Sequence, residues 1–185
     1  LHTNEAIKAA VARCAAERGR SLHLMGINSD AGVHGLLGHL FAILAAAKKL
    51  GIAPDRVFLH LFTDGRDTGP FTGLGFAGRV EAKCLQLGVG RVASIIGRYY
   101  AMDRDHRWER VKLAYDCLTR RGETARASSS AEAIRRYYDN PSGETLRGDE
   151  FVTPTAIGTA EQVAASRIKS GDSVIFYNYR GDRPR

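Results

Sequence analysis

"VFLHLFTDGRDTGP", residues 57–70, joins six residues of strand character to eight of turn character. A short apolar run bounded by Asp, Gly and Pro reads as a buried strand with a loop at its carboxyl end. A helix over about 74–87, closed by Gly88, follows. The same unit lies on either side. Upstream, "SLHLM" at 21–25 runs into "GINSDAGVHG", and Leu36, Leu37, Leu40, Phe41 and Leu44 then line a helix that stops at Leu50-Gly51. Downstream, "RVASII" at 91–96 runs into "GRYYAMDRDHRW" at 97–108, which has neither helical nor strand period, and then into a helix over about 108–120.

Three further elements complete the frame. Asn4 is placed to cap a helix carrying Ile7, Val11, Cys14 and Ala15, a second helix runs from Ser129 or Ser130 to Asp139, and "SVIFY" at 173–177 is the last strand. Residues 140–170, with "NPSGETLRGDEFVTP", are the least readable part. Strands alternating with helices predict a single α/β domain over 1–185. It has three layers, a largely parallel sheet with helices on both faces, and a ligand site at the carboxyl ends of the strands.

Bulk properties narrow the class. The chain has 185 residues, 44% of them hydrophobic and 25% charged, so one core burying roughly 70% of the unfolded surface is expected. No apolar run approaches the roughly 18 residues of a membrane span; "LFAILAAA" at 40–47 is the longest. Cys14, Cys84 and Cys117 are widely spaced with no C-x-x-C, which fits a reducing cytoplasm. Neither a signal peptide nor a glycosylation sequon is present, and the start at Leu1 predicts a piece of something longer. Net charge is +7, and only six of the 27 cationic residues are lysine. Arginine's planar fork grips carboxylate and phosphate through paired hydrogen bonds.

The unusual residues fall in the loops that follow the strands. Ser29, Asp30 and His34 follow the first strand, and Asp64, Arg66, Asp67 and Thr68 the second. Arg98, Arg104 and Arg107 follow the third, and Asn178, Arg180, Asp182 and Arg183 the last. Six arginines at one sheet edge predict an anion site. Packed guanidinium groups repel unless carboxylates hold them, which makes Asp30, Asp64, Asp103, Asp105 and Asp182 candidate braces. Asp67, between Arg66 and Thr68, is placed to accept a proton from a substrate hydroxyl. His34, between a glycine loop and a helix, can meet a ligand at the helix N-terminus, whereas His23, His39 and His60 read as ordinary strand or helix residues.

"GLGFAG" at 73–78 matches G-x-G-x-x-G but lies beyond Pro70 with no acidic residue at ribose distance, so dinucleotide binding is not predicted. No P-loop, serine elbow or histidine metal spacing occurs, and no metal site is predicted within the chain.

Together "SDAGVHG", "FTDGRDTGP", "GRYYAMDRDHRWERV" with "AYD", "DEFVTPTAI" and "GDSVIFYNYRGDRPR" resemble, in order and spacing, the cofactor-independent (2,3-bisphosphoglycerate-independent) phosphoglycerate mutases, from about Leu22 to Arg185. The resemblance implies a glycolytic isomerase that interconverts 3-phosphoglycerate and 2-phosphoglycerate through a phosphoserine. This chain would be the inserted phosphotransferase domain alone. The serine and two divalent metals, usually manganese, would lie in an absent phosphatase-like domain, leaving this piece inactive by itself. The residues matching the family's substrate grip are His34, Arg66, Asp67, Arg98, Arg104, Arg180 and Arg183, with Asp67 exchanging the proton and Arg107 left as a brace. Arg98→Ala is expected to remove most phosphoglycerate affinity and leave the fold intact.

Four positions depart from the family. Ala31 stands where glycine is usual, Gly35-Leu36 where Ser-His is common, and Tyr179 where phenylalanine is usual. A positive φ at 31 would strain alanine and displace His34. The alternative reading is a basic nucleic-acid module stacking bases on Tyr99, Tyr100 and Trp108.

Overall fold

The fold was analysed in a computed structural model that describes residues 4–184. Its elements in chain order are α1 (Glu5–Ala16), β1 (Leu22–Asn28), α2 (Leu37–Lys49), β2 (Val57–Thr63), α3 (Gly73–Leu87), β3 (Arg91–Gly97) and α4 (Arg98–Ala101). Then follow α5 (Trp108–Thr119), β4 (Ala125–Ala127), α6 (Ser130–Asp139), β5 (Thr155–Ile157), α7 (Ala160–Ala165) and β6 (Ser173–Phe176). The capping predicted from sequence is present. Asn4 Oδ1 accepts from Ile7 N at 3.1 Å, and Ser129 Oγ from Glu132 N at 3.1 Å, each satisfying a first-turn donor that has no partner within its helix.

The strands form one six-stranded sheet in the order β4-β5-β3-β2-β1-β6, parallel throughout except that β5 runs against β3. All seven residues of β1 and of β2 are buried, as expected of strands covered on both faces. Alternation divides them. Leu22, Leu24, Val57, Leu59, Leu61 and Ile95 face the larger core, built with α1, α2, α3 and α6. Met25, Ile27, Phe62 and Ile96 face the smaller one, which contains Tyr100, Met102 and the α5 residues Ala114 and Cys117. The three-layer α/β expectation is therefore met.

The smaller face also carries a line of buried polar groups across the sheet. Ser94 Oγ lies 2.8 Å from His60 Nδ1, His60 Nε2 lies 3.0 Å from His23 Nδ1, and His23 Nε2 lies 3.2 Å from Asp172 Oδ2.

Register places the site. Asn28 pairs with Thr63 and Thr63 with Gly97, so β1, β2 and β3 end level and their following loops start from one line.

Several details differ from the sequence expectation. The segment 140–170 contains β5, α7 and a single 3-10 turn at Asp149–Phe151, and β4 precedes it. Strands of three residues are too short to display a period. The stretch 97–108 opens with the helical turn α4. Ala31 does not take a positive φ; Gly32, at 73°, makes that turn, so alanine is unstrained. The distance between Leu1 and Arg185, which would bear on insertion into a host domain, lies outside the described residues. Among the described residues no helix is long and apolar enough to cross a membrane. The three cysteines are free and buried. Burial pushes the Cys84 and Cys117 thiols up to about 11, which leaves them unreactive.

Candidate functional site

Arg98, the first residue after β3, is 3% exposed and is the hub of the carboxyl-end loops. Its Nη1 donates to Asp64 Oδ1 and to Asp67 Oδ2, each at 2.6 Å, and its Nη2 lies 3.0 Å from His34 Nε2. One guanidinium thus ties together the loops after β1, β2 and β3. Arginine only donates, so His34 Nε2 accepts and the neutral ring carries its proton on Nδ1. Burial, and then the Arg98 charge, hold the His34 pKa below its ordinary value. His34 Nε2 and Asp67 Oδ2, 3.6 Å apart, are therefore two acceptors of one cation rather than an ion pair.

Asp64 holds its own loop. Oδ1 accepts from the backbone N of Arg66 at 3.2 Å and of Asp67 at 3.0 Å, while Oδ2 accepts from Ser29 Oγ at 2.7 Å. Burial alone would raise its pKa, but the hydrogen bonds from Asp67, Ser29 and Arg98 outweigh burial and keep the carboxyl ionised below its ordinary value. The Arg98 pKa moves the other way. Desolvation lowers it, and the bonds to Asp67 and Asp64 more than compensate.

The fourth loop closes over this hub. His34 O accepts from Tyr179 N at 2.9 Å and from Arg180 N at 3.5 Å, and Asp182 Oδ1 lies 3.8 Å from His34 Nδ1. Arg183 Nη1 donates to Met102 O at 2.9 Å, which joins the loop after β6 to the loop after β3. Burial lowers the Arg183 pKa, and the positive fields of Arg104, Arg98 and Arg66 lower it further, so these guanidinium groups share one region. Arg180, on the same loop, is near enough for its charge to act on His34.

Their pairing is incomplete. Arg66 meets Glu150 at 3.3 Å and Arg180 meets Asp182 at 3.0 Å, both largely exposed. Among the described residues Arg104 and Arg183 pair with no carboxylate. His34 Nδ1 and Arg183 Nε are buried donors without a partner. A recess of about 360 Å3 is lined by Asp103, Arg104, His106, Trp108, Val111 and Asp182, the last of which lies 3.8 Å from His34 Nδ1. Buried donors without partners and cations without counter-charges, brought close by separate loops, make this edge the candidate site for an anion.

The matching family model is described as the BPG-independent PGAM N-terminus, and it covers residues 1–185. This chain belongs to that family. It is 48% identical to the 2,3-bisphosphoglycerate-independent phosphoglycerate mutase of Moorella thermoacetica over 183 residues, covering 99% of this chain and 34% of the relative. The corresponding protein of Thermomicrobium roseum is 49% identical over 183 residues, covering 98% and 33%. The chain therefore spans about a third of the length of the curated relatives it matches. Among solved structures, the phosphoglycerate mutase of Leishmania mexicana, crystallised at low cobalt concentration, superimposes with a TM-score of 0.87 at 26% identity over 99% of this chain and 33% of that one.

Within this family member the seven predicted contact residues separate by role in the geometry. His34, Asp67 and Arg98 touch one another, and Arg66, Arg104, Arg180 and Arg183 surround them. Arg107 turns away and is exposed, its nearest carboxylate being Glu109 at 3.9 Å. Of the candidate braces, Asp64 and Asp182 hold site arginines. Asp30 pairs with Arg79 of α3 at 2.7 Å, and Asp103 pairs with Arg110 at 3.6 Å. Asp105 has no ion pair among the described residues. Sequence reasoning missed Asp149 and Glu150, although "DEFVTPTAI" was among the family-like stretches and two adjacent carboxylates in it were the available signal. Among the described residues no group of three His, Cys, Asp or Glu side chains could hold a metal ion. The residues present do not fit a divalent-metal centre.

Proposed function

We propose that this chain is the substrate-gripping phosphotransferase domain, over 1–185, of a cytoplasmic cofactor-independent phosphoglycerate mutase. The substrate is 3-phosphoglycerate or 2-phosphoglycerate. Arg66, Arg104, Arg180 and Arg183 hold its carboxylate and phosphate, Arg98 sets the positions of His34 and Asp67, and the His34 Nδ1 proton is offered to a ligand oxygen. Asp67 takes a proton from one glycerate hydroxyl and returns it to the other as the phosphoryl group leaves and comes back. The phosphoryl-accepting serine and two divalent metals, manganese by resemblance, are assigned to a further domain.

The single observation carrying this reading is that four separate loops bring cations and orphan donors together around Arg98 and His34. The nucleic-acid alternative draws less support, because Tyr100 is 8% exposed and Tyr99 packs edge-on against Phe151 at 5.1 Å, which leaves Trp108 as the one open platform of the three.

Calorimetric titration of the chain with 3-phosphoglycerate and, separately, a short oligonucleotide tests the choice. A saturable one-to-one response to phosphoglycerate is expected. Tight oligonucleotide binding with a log-log salt slope of about −0.7 to −0.9 per phosphate, and no phosphoglycerate response, would reject it.

A further inference from the structure

The pentapeptide from Gly148 to Val152 runs between the loop after β2 and the loop after β3, and Asp149 is its anchor. The Asp149 side chain is buried, at 1% exposure. Oδ2 accepts from Gly73 N at 2.7 Å and Thr72 N at 2.9 Å, and Oδ1 accepts from Tyr138 of α6. Thr72, the N-cap of α3, makes no side-chain cap hydrogen bond, so a carboxylate 76 residues away in sequence satisfies the helix's first donors and meets its positive end.

The backbone of the same residue is used as fully. Asp149 N donates to Pro70 O at 2.7 Å, and Asp149 O accepts from Thr63 Oγ1 at 2.7 Å. These bonds fasten both ends of the loop that carries Arg66 and Asp67. Glu150 pairs with Arg66, and Val152 O accepts from Gly97 N at 2.7 Å, next to Arg98.

Two glycines make the close fit possible. A Cβ at Gly65, where φ is +70°, would stand 2.7 Å from Glu150 N, and one at Gly97 would stand 2.7 Å from Val152 N and overlap Glu150 O.

We propose that Asp149 is a positioning residue for the substrate site: by closing the start of α3 and the Pro70 turn together, its carboxylate fixes the backbone from which Arg66 and Asp67 project and, through Asp67, the setting of Arg98. This rests on the phosphoglycerate reading for its effect on affinity, not for its effect on the loop. Burial pushes the Asp149 carboxyl above its ordinary value against the hydrogen bonds it accepts, so a neutral amide is a fair replacement. In Asp149→Asn the carbonyl can still accept from Gly73 and Thr72 while the amide donates to the Tyr138 oxygen.

The test compares Asp149→Ala, Asp149→Asn and Tyr138→Phe by amide hydrogen exchange and by the NMR signals of Asp67 N–H and Arg98 side-chain N–H, with and without 3-phosphoglycerate. Alanine is expected to cut protection at Thr72 and Gly73 at least tenfold, shift the Asp67 and Arg98 signals, and weaken phosphoglycerate at least tenfold. Asparagine is expected to restore all three to within about threefold. Should alanine unfold the chain, Tyr138→Phe, which removes only the donor to Oδ1, is expected to shift the same two signals in a folded protein. Unmoved Asp67 and Arg98 signals in any folded variant lacking the carboxylate contacts, or equal damage from asparagine and alanine, would overturn the proposal. A wild-type chain that ignores phosphoglycerate would instead refute the functional reading, and the exchange data would still decide the role of Asp149.

Discussion

Two buried polar clusters in this sheet are built from the same residue types and end differently. The line from Ser94 through His60 and His23 to Asp172 is closed. Asp172 can only accept, since Oδ1 takes Ser21 N at 2.8 Å and Oδ2 takes Lys169 N at 3.0 Å, so His23 donates from Nε2, His60 donates to His23, and Ser94 donates to His60. Every ring nitrogen is used. The cluster around Arg98 is open, because among the described residues His34 Nδ1 and Arg183 Nε stay unpartnered while buried, and Arg104 pairs with no carboxylate. Satisfied networks hold a fold together, and unsatisfied ones wait for a ligand.

Arg98→Ala tests the open cluster hardest. Removing the guanidinium leaves buried Asp64 with its three other hydrogen bonds but no counter-charge, an expected loss of about 3 kcal/mol of stability in urea denaturation. A loss of that size would stand against the sequence-based expectation of an intact fold. Adding Asp64→Asn is expected to restore part of the stability but none of the phosphoglycerate affinity; recovery of neither would mean that the Arg98–Asp64 pair is not the source of the loss.

In the closed cluster, His60→Phe strands Ser94 and His23 and is expected to cost about 1–3 kcal/mol, with phosphoglycerate affinity unchanged. A change in affinity would show that the two clusters are coupled.

Acid sharpens the contrast further. Burial lowers the pKa of His23 against the pull of Asp172, and holds His60 well below the ordinary 6.5 with His23 adding to the effect. As pH falls, the unfolded chain takes up these protons first, so stability is level above about pH 6.5 and declines below it. His34, also lowered, adds in the same sense. Asp64, lowered as a carboxylate, withdraws its contribution only below the ordinary carboxylate range, so urea midpoints at pH 7.5 and 5.5 isolate the histidines. The drop should shrink in His60→Phe, and a flat wild-type profile would contradict the neutral line.

The smallest effect on folding is expected for Arg104→Ala, within about 0.5 kcal/mol, because an exposed and unpaired side chain supports nothing in the native state. Its binding effect is large by comparison. One lost charge-assisted bond of ~1.5–3 kcal/mol weakens phosphoglycerate roughly tenfold to more than a hundredfold in the same titration.

Much of this was legible because of length and position. β1, β2 and β3 are runs of seven with turn residues behind them, so the parallel sheet and the edge holding the site could be read directly. His34, Arg66, Asp67 and Arg98 fall in loops at that edge, and the family resemblance singled them out there. Their partners did not, since whether Asp67 faces a substrate or Arg98 depends on side-chain direction in an irregular loop. β4 and β5 were illegible because three residues carry no period, and the reversal of β5 is set by pairing rather than by local sequence. Asp149 was invisible in its role because the helix it caps begins 76 residues earlier.

β6, the last of the six strands in chain order, completes the edge. The Ser21–Asp172 contact beside β6 spans 151 residues, against 35 for the Ser29–Asp64 contact between the first two loops, so docking β6 is the entropically costlier closure. Arg180 and Arg183 arrive only with it. Undocking β6 would therefore remove two arginines from the proposed grip, so phosphoglycerate is expected to protect the loop after β6 from proteolysis.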